Sequence, residues 1–198
     1  MTREKLRRLA ATHTLGEPTD LVGAVQHLGY VQADPIRAPA RAQDLILRHR
    51  VRDYRVDDLE RHYATLPLIE DVIYNYGFFH RDTRSLLHPR IRSSRGQAFM
   101  DSHPALRRKV LRYFNDNEEA HPRDVEAWCG AGVRGNGWGG TSSATTLMLE
   151  ALHVEGTLHV CRRDNGIKVY SRAERVAPRR KPAERADALI MLMANLYA

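Results

Sequence analysis

The chain has 198 residues, 42% of them hydrophobic, and carries 31 Lys and Arg against 24 Asp and Glu for a formal net charge of +7. That length suits one large domain or two or three small ones, and the apolar fraction allows packed cores, which argues against a disordered chain. No apolar run approaches the roughly 20 residues of a membrane span, and the first residues lack the apolar stretch of a secretory signal. Cys129 and Cys161 have neither CxxC spacing nor a nearby histidine ladder, which points to reduced thiols, no metal and a cytoplasmic location.

In chain order, residues 3–12 form one basic helix, broken at Gly16-Glu17-Pro18. Thr19 or Asp20 caps a second helix over LVGAVQHL, with Leu21, Val25 and Leu28 on one face and Gly29 at its end. The extended stretch YVQADP follows. A third helix runs through RAPARAQDLILRHRV, where Ala42, Leu45, Ile46 and His49 recur at i, i+3, i+4 and i+7. This order outlines a helix-turn-helix type module. Residues 66–94 are rich in aromatic and β-branched residues without a clean period, and IYNYGFF reads equally as a buried strand or a short helix.

A second module starts near Pro104, a good first-turn residue, with Leu106, Val110, Tyr113 and Phe114 as its apolar stripe. Pro122 opens a short helix that Gly130 stops, and its spacing turns Val125 and Trp128 inward. The Gly-rich stretch GAGVRGNGWGGTSS lacks the preceding strand and the lysine of a phosphate-binding loop, so it reads as a connection. Residues 142–155 form a third helix presenting Leu147, Ala151 and Val154, and TLHVCRRDNGIKVYS forms two strands around an Asn-Gly turn. Three helices followed by a hairpin make a winged helix. The fold expectation is mainly α with small β-hairpins, as tandem winged helix-turn-helix modules. Residues 1–66 form the first module, 67–102 a basic connector, 103–178 the second module and 179–198 the start of a third. The last helix presents Ala186, Leu189, Ile190, Met193 and Tyr197 on one face. It then stops with that stripe still present, so either the chain continues in a longer protein or the helix packs back on the body.

The positive charge is clustered. Nine basic side chains lie between His80 and Tyr113 (Arg81, Arg84, Arg90, Arg92, Arg95, Arg107, Arg108, Lys109 and Arg112), against Asp82 and Asp101 alone. A solvated basic face would account for them, but this density also suits a surface that tracks phosphates. Arg162, Arg163 and Lys168 sit on the wing. A winged helix used only for protein contacts is the alternative, because fold does not fix function. Asp34 admits two readings. Before Pro35 it is an ordinary turn residue; with Gln32 two residues earlier, it is an acid facing a bound polyanion.

Three segments in order resemble the winged-helix DNA glycosylases of the YcaQ/AlkZ crosslink-repair family. VQADPIRAPARAQDLILRHRV carries a Gln-x-Asp followed by an alanine-arginine pair and an apolar helix, LIEDVIYNYGFFHRDTRSLLHPRI leads into a basic segment, and LHVCRRDNGIKVYSRAERVAP matches the wing and its exit. The resemblance implies tandem winged helices forming a concave basic surface around double-stranded DNA, and a monofunctional glycosylase that excises N7-alkylated purines and unhooks interstrand crosslinks without a cofactor. Gln32 and Asp34 become the catalytic pair and Glu70 a further candidate. The DNA contacts fall to Arg37, Arg41, Arg48, Arg81, Arg84, Arg90, Arg92, Arg95, Arg162, Arg163 and Lys168. Expected alongside are a monomer, nucleoid-associated in the cytoplasm, and a third winged helix represented here by its first helix. The chain departs from the family pattern at Asp71, Val72 and Asn75, where relatives carry an aromatic pair and a histidine, and at Thr145, near which a lysine is expected. A non-catalytic winged-helix transcription regulator is the alternative function.

Overall fold

The computed structural model describes residues 1–90, 95–130, 133–135, 141–174 and 181–194. Helix α1 (Arg3–Leu15) is capped by the Thr2 hydroxyl, which accepts the Lys5 N–H, and its first ten residues are exposed. In α2 (Leu21–Leu28) the Asp20 carboxylate accepts the Gly23 N–H at 2.7 Å, and Gly29, at φ 73°, supplies the left-handed residue that ends the helix. Strand β1 (Val31–Gln32), α3 (Ala42–Leu47) and α4 (Asp58–His62) follow, then the hairpin of β2 (Leu68–Val72) and β3 (Tyr76–His80). The sheet order is β1-β3-β2, all antiparallel.

The same succession recurs. After the short α5 (Arg84–Leu87) and α6 (Arg95–Ser102) come α7 (Pro104–Asp116), β4 (Glu119–Ala120) and α8 (Pro122–Cys129). The small ribbon β5 (Val133–Gly135) and β6 (Thr141–Ser143) leads to α9 (Ala144–Glu155) and the hairpin of β7 (Leu158–Asp164) and β8 (Ile167–Arg172). This sheet has the order β4-β8-β7, so in both sheets the first strand pairs with the last and the last two form a hairpin. The molecule is mainly helical with small antiparallel hairpins.

One apolar cluster runs through both units. Val25, Val31, Leu47, Leu59, Tyr63 and Phe78 pack continuously with Val110, Phe114, Val125, Met148, Leu152 and Leu158. Removing such area from water is worth roughly 25 cal/mol per Å², so this shared core helps to hold the two units together. A smaller cluster of Tyr30, Ile69, Phe79 and Leu87 covers the other face of the first sheet, with Leu189 and Leu192 against it. Those two leucines belong to α10 (Pro182–Ala194), whose Arg185 donates to the carbonyls of Leu86 and Pro89. The terminal helix therefore packs back on the body.

Several inward assignments change. Trp128 is 50% exposed at the flank of α8, edge-on to Tyr113, because Val125 and Cys129, four apart, take the buried line. In α9 the buried stripe is Met148, Leu149, Ala151 and Leu152, while Leu147 and Val154 are half-buried. The third helix of the first module is only Ala42–Leu47, and Leu45 and His49 are exposed. Ile190 faces solvent, and the side chains of Met193 and Tyr197 lie outside the described residues. The stretch IYNYGFF, which the sequence leaves open between strand and helix, holds the turn after β2 and most of β3, the strand to which β1 attaches.

Candidate active site and nucleic-acid interface

Strand β1 delivers Gln32 and Asp34. Val31 pairs with Phe78 and Gln32 with Gly77, and the Ala33 N–H extends the ladder to the Tyr76 carbonyl at 2.9 Å. Alternation along the strand sends Val31 and Ala33 into the main core and Gln32 to the opposite face. Its register neighbour there, Gly77, carries no side chain, and a Cβ at that position would overlap the Tyr30 ring. The Gln32 side chain is half-buried, and its amide makes no side-chain hydrogen bond to any described residue.

Asp34 marks the exit from the strand. Its Oδ1 accepts the Ile36 N–H at 2.8 Å, closing a side-chain turn over Pro35, and its own N–H donates to Oε1 of Gln43 at 3.0 Å. The second carboxylate oxygen has no hydrogen-bond partner among the described residues, and the residue is half-buried. The turn role is therefore real, and one oxygen remains for other work.

Behind this pair lies an ion cluster that the sequence pattern did not announce. Arg41, expected on the DNA, is 5% exposed. Its guanidinium bonds Asp44 at 3.2 Å, Asp57, and Glu60 at 2.7 Å. Glu60 also accepts from Gln43 Nε2 at 3.2 Å. From the second unit, Arg163 approaches Glu60 at 3.9 Å and grips both oxygens of Glu70 at 2.8 and 2.6 Å. Burial alone would raise the Glu70 carboxyl, but the hydrogen bonds and charge of Arg163, with help from Lys168, hold it below its ordinary range. Glu70 is thus spent on joining the two units.

The hairpin of β7 and β8, expected to be a wing on the DNA, makes the same correction on its own side. Lys168 stands 3.9 Å from the centroid of the Tyr76 ring and 3.9 Å from Glu150, so with Arg163 it docks the hairpin onto the first unit. Arg90 is also internal, donating to the carbonyls of Val72 and Val154 and to Asp71, and Arg84 donates to the Gly156 carbonyl. Four of the expected DNA contacts remain exposed: Arg37, Arg48, Arg81 and Arg162, of which Arg37 lies 3.6 Å from Asp57 and Arg162 pairs with Glu119 at 2.8 Å. Arg92 and the Arg95 side chain lie outside the described residues.

Asp71, one of the departures from the family pattern, is fully buried. Its Oδ2 lies 2.6 Å from His88 Nε2 and its Oδ1 accepts from Arg90 at 2.5 Å. Burial works to raise this carboxyl, and the His88 hydrogen bond and neighbouring positive charge outweigh it and hold it low. Near it, His153 is buried with Nε2 3.4 Å from the Tyr76 hydroxyl, and burial pushes its imidazole down to about 4 against the pull of Asp71. An unfolded histidine titrates near 6.5, so between about 6.5 and 4 the unfolded chain binds a proton that the folded chain refuses. Stability is full above that window and falls as pH drops through it, by about 3 kcal/mol in all. Urea unfolding at pH 7, 5.5 and 4.5 should show this decline, and His153→Phe should flatten it. An equal slope in the two proteins would contradict the assignment.

A family model for AlkZ-like DNA glycosylases matches residues 25–198, from the middle of α2 onward. The chain belongs to the AlkZ-like DNA glycosylase family. No curated protein and no solved structure matched it. Membership implies a DNA substrate, and among the described residues no helix is long and apolar enough to cross a membrane. Within this AlkZ-like chain, Gln32 and Asp34 fall inside the matched span and α1 falls outside it.

The AlkZ-like chain also has an open cleft of about 700 Å³ where the two sheets meet, lined by Tyr63, Ile69, Arg81, Arg84, His159 and Arg162, with Asp82, Glu119 and Glu174 among the acids. Gln32 and Asp34 do not line it. This cleft and the catalytic candidates are thus separate places.

Proposed function

We propose that the protein excises N7-alkylated purines from double-stranded DNA and unhooks interstrand crosslinks made through the same atom, using Gln32 and Asp34. The observation that carries this reading is the geometry at the end of β1, where an amide without a hydrogen-bond partner among the described residues precedes by two a carboxylate with one oxygen similarly uncommitted, within a chain of the AlkZ-like family. N7 alkylation makes the purine a cationic leaving group, so the base needs no protonation. The enzyme must stabilise the oxocarbenium sugar and deliver water. An ionised Asp34 offsets the sugar's charge and accepts the water's proton, and the Gln32 amide on the same face of the extended segment holds that water. The products are the free base and an abasic site, as in a monofunctional glycosylase. Incubation with a duplex containing N7-methylguanine and with a crosslinked duplex, followed by alkali, tests the reading. Strand breaks at the lesion and loss of the crosslinked species are expected; intact strands in both would refute it.

The repeated order of helix, strand, two helices and hairpin supports two winged-helix units acting as a single DNA-binding body. Their wings differ in use, because Arg163 and Lys168 hold the second hairpin against the first unit. Phosphate binding then falls to the exposed arginines. Neutralising Arg37, Arg48, Arg81 and Arg162 together should weaken binding to every duplex alike and reduce the salt slope by up to about 0.9 for each phosphate that is no longer neutralised. Titrations over a range of salt concentrations measure this. An unchanged slope would remove these residues from the interface.

A further inference from the structure

Asp34 is placed by a side chain from another element. Gln43, on α3, is 1% exposed and spans the gap between the strand exit and α4. Its Oε1 accepts the Asp34 N–H at 3.0 Å and its Nε2 donates to Glu60 Oε1 at 3.2 Å. The amide can sit only this way round, since a backbone N–H requires an acceptor and a carboxylate requires a donor. Glu60 is fixed in turn by Arg41 Nη1 at 2.7 Å, with Arg163 of the second unit at 3.9 Å.

We infer that Gln43 is a positioning residue for Asp34, held in register by Glu60 and Arg41. The inference rests on the assignment of Asp34 as the catalytic acid. The physical case is one of redundancy and its absence. The Ile36 N–H orients the Asp34 side chain relative to its own turn, but that bond moves with the turn and cannot place it relative to the sheet. β1 ends at Gln32, and after the Ala33 N–H the ladder offers no further anchor, so the Asp34 N–H bond to Gln43 is the next fixed point on the chain. A carboxylate displaced by about 1 Å from a developing sugar cation costs up to roughly 100-fold in rate. The hydrogen bond from Gln43 to Glu60 and the ion pair of Glu60 with Arg163 also mean that docking of the second unit helps to set where the acid sits.

Gln43→Met keeps the volume and removes both hydrogen bonds. With enzyme in excess over N7-methylguanine duplex, at a temperature well below unfolding, its excision rate should fall between about 10- and 100-fold, with DNA affinity within about twofold of wild type. Amide hydrogen exchange at Asp34 should accelerate in the same variant, a readout that needs no activity. Gln43→Glu places two carboxylates together and should also be slow. Adding Glu60→Gln to it restores an acceptor for the Asp34 N–H and a donor between the two side chains, and the double variant should recover at least tenfold over the single. Wild-type rate and unchanged Asp34 exchange in Gln43→Met would overturn the inference while leaving Asp34 as the acid. Full activity of Asp34→Asn, or no base release by wild type, would sink both.

Discussion

Asp34→Asn should fold and bind duplex DNA as the wild type does, yet release alkylated purine about 10²- to 10⁴-fold more slowly, the usual effect of removing a positioned acid or base. The substitution is clean because Asn keeps Oδ1 for the Ile36 N–H and leaves the backbone N–H on Gln43 untouched. Only the charge and the proton affinity are lost. Affinity should hold or rise, since a carboxylate facing a polyanion is repulsive in the ground state and is useful only once positive charge develops on the sugar. If Asp34 served only the turn before Pro35, Asn would replace it without effect, as it is a favoured residue there. Parallel single-turnover and binding measurements distinguish the two, and a full-rate variant would leave a DNA-binding scaffold.

Arg163→Ala should cost about 3–5 kcal/mol of folding stability, because it strands the Glu70 carboxylate in a site that is 2% exposed. The Tyr63 and Tyr76 hydroxyls have their pKa values raised by burial and by the Glu70 charge and stay neutral, and Lys168 acts on Glu70 through its charge alone, without the paired hydrogen bonds that Arg163 makes. Arg163→Ala with Glu70→Gln removes the stranded charge and should recover part of the loss. The pair also gives the protein an acid limit. Glu70 is held low in the fold, so its contribution is complete above the ordinary glutamate range and disappears as pH falls through the folded value. Chemical denaturation measures the cost. A loss below about 1 kcal/mol, as for an exposed ion pair, with a uniform drop in DNA affinity, would return Arg163 to the DNA.

The parts of the fold that the sequence made legible are those whose signals are local. Asp20 and Gly29 bound α2, Pro122 and Gly130 bound α8, and Asn165-Gly166 turns β7 into β8, each with its mechanism within a few residues. β2 was illegible for a physical reason. Its residues from Leu68 to Asp71 are all buried, so it has no alternation, and two of them are acids whose presence makes sense only beside Arg163 and His88. α4 has five residues, too few for a periodic signal. Composition counted the arginines but could not separate those facing solvent from Arg41, Arg90 and Arg163, each paired with a carboxylate distant in the chain. The candidate site was partly legible: the Gln-x-Asp spacing was visible in one strand, whereas Gln43 and Glu60 became meaningful only when α3 and α4 were folded against it.

The central claim is that this chain breaks a glycosidic bond, and mass-spectrometric detection of the released base tests it most directly. Wild-type protein in excess over a duplex carrying a single N7-methylguanine should liberate free 7-methylguanine in step with abasic sites, one for one, and Asp34→Asn should liberate almost none over the same interval. A duplex that is bound but keeps its methylated base, with no free purine above the spontaneous rate, would contradict the account.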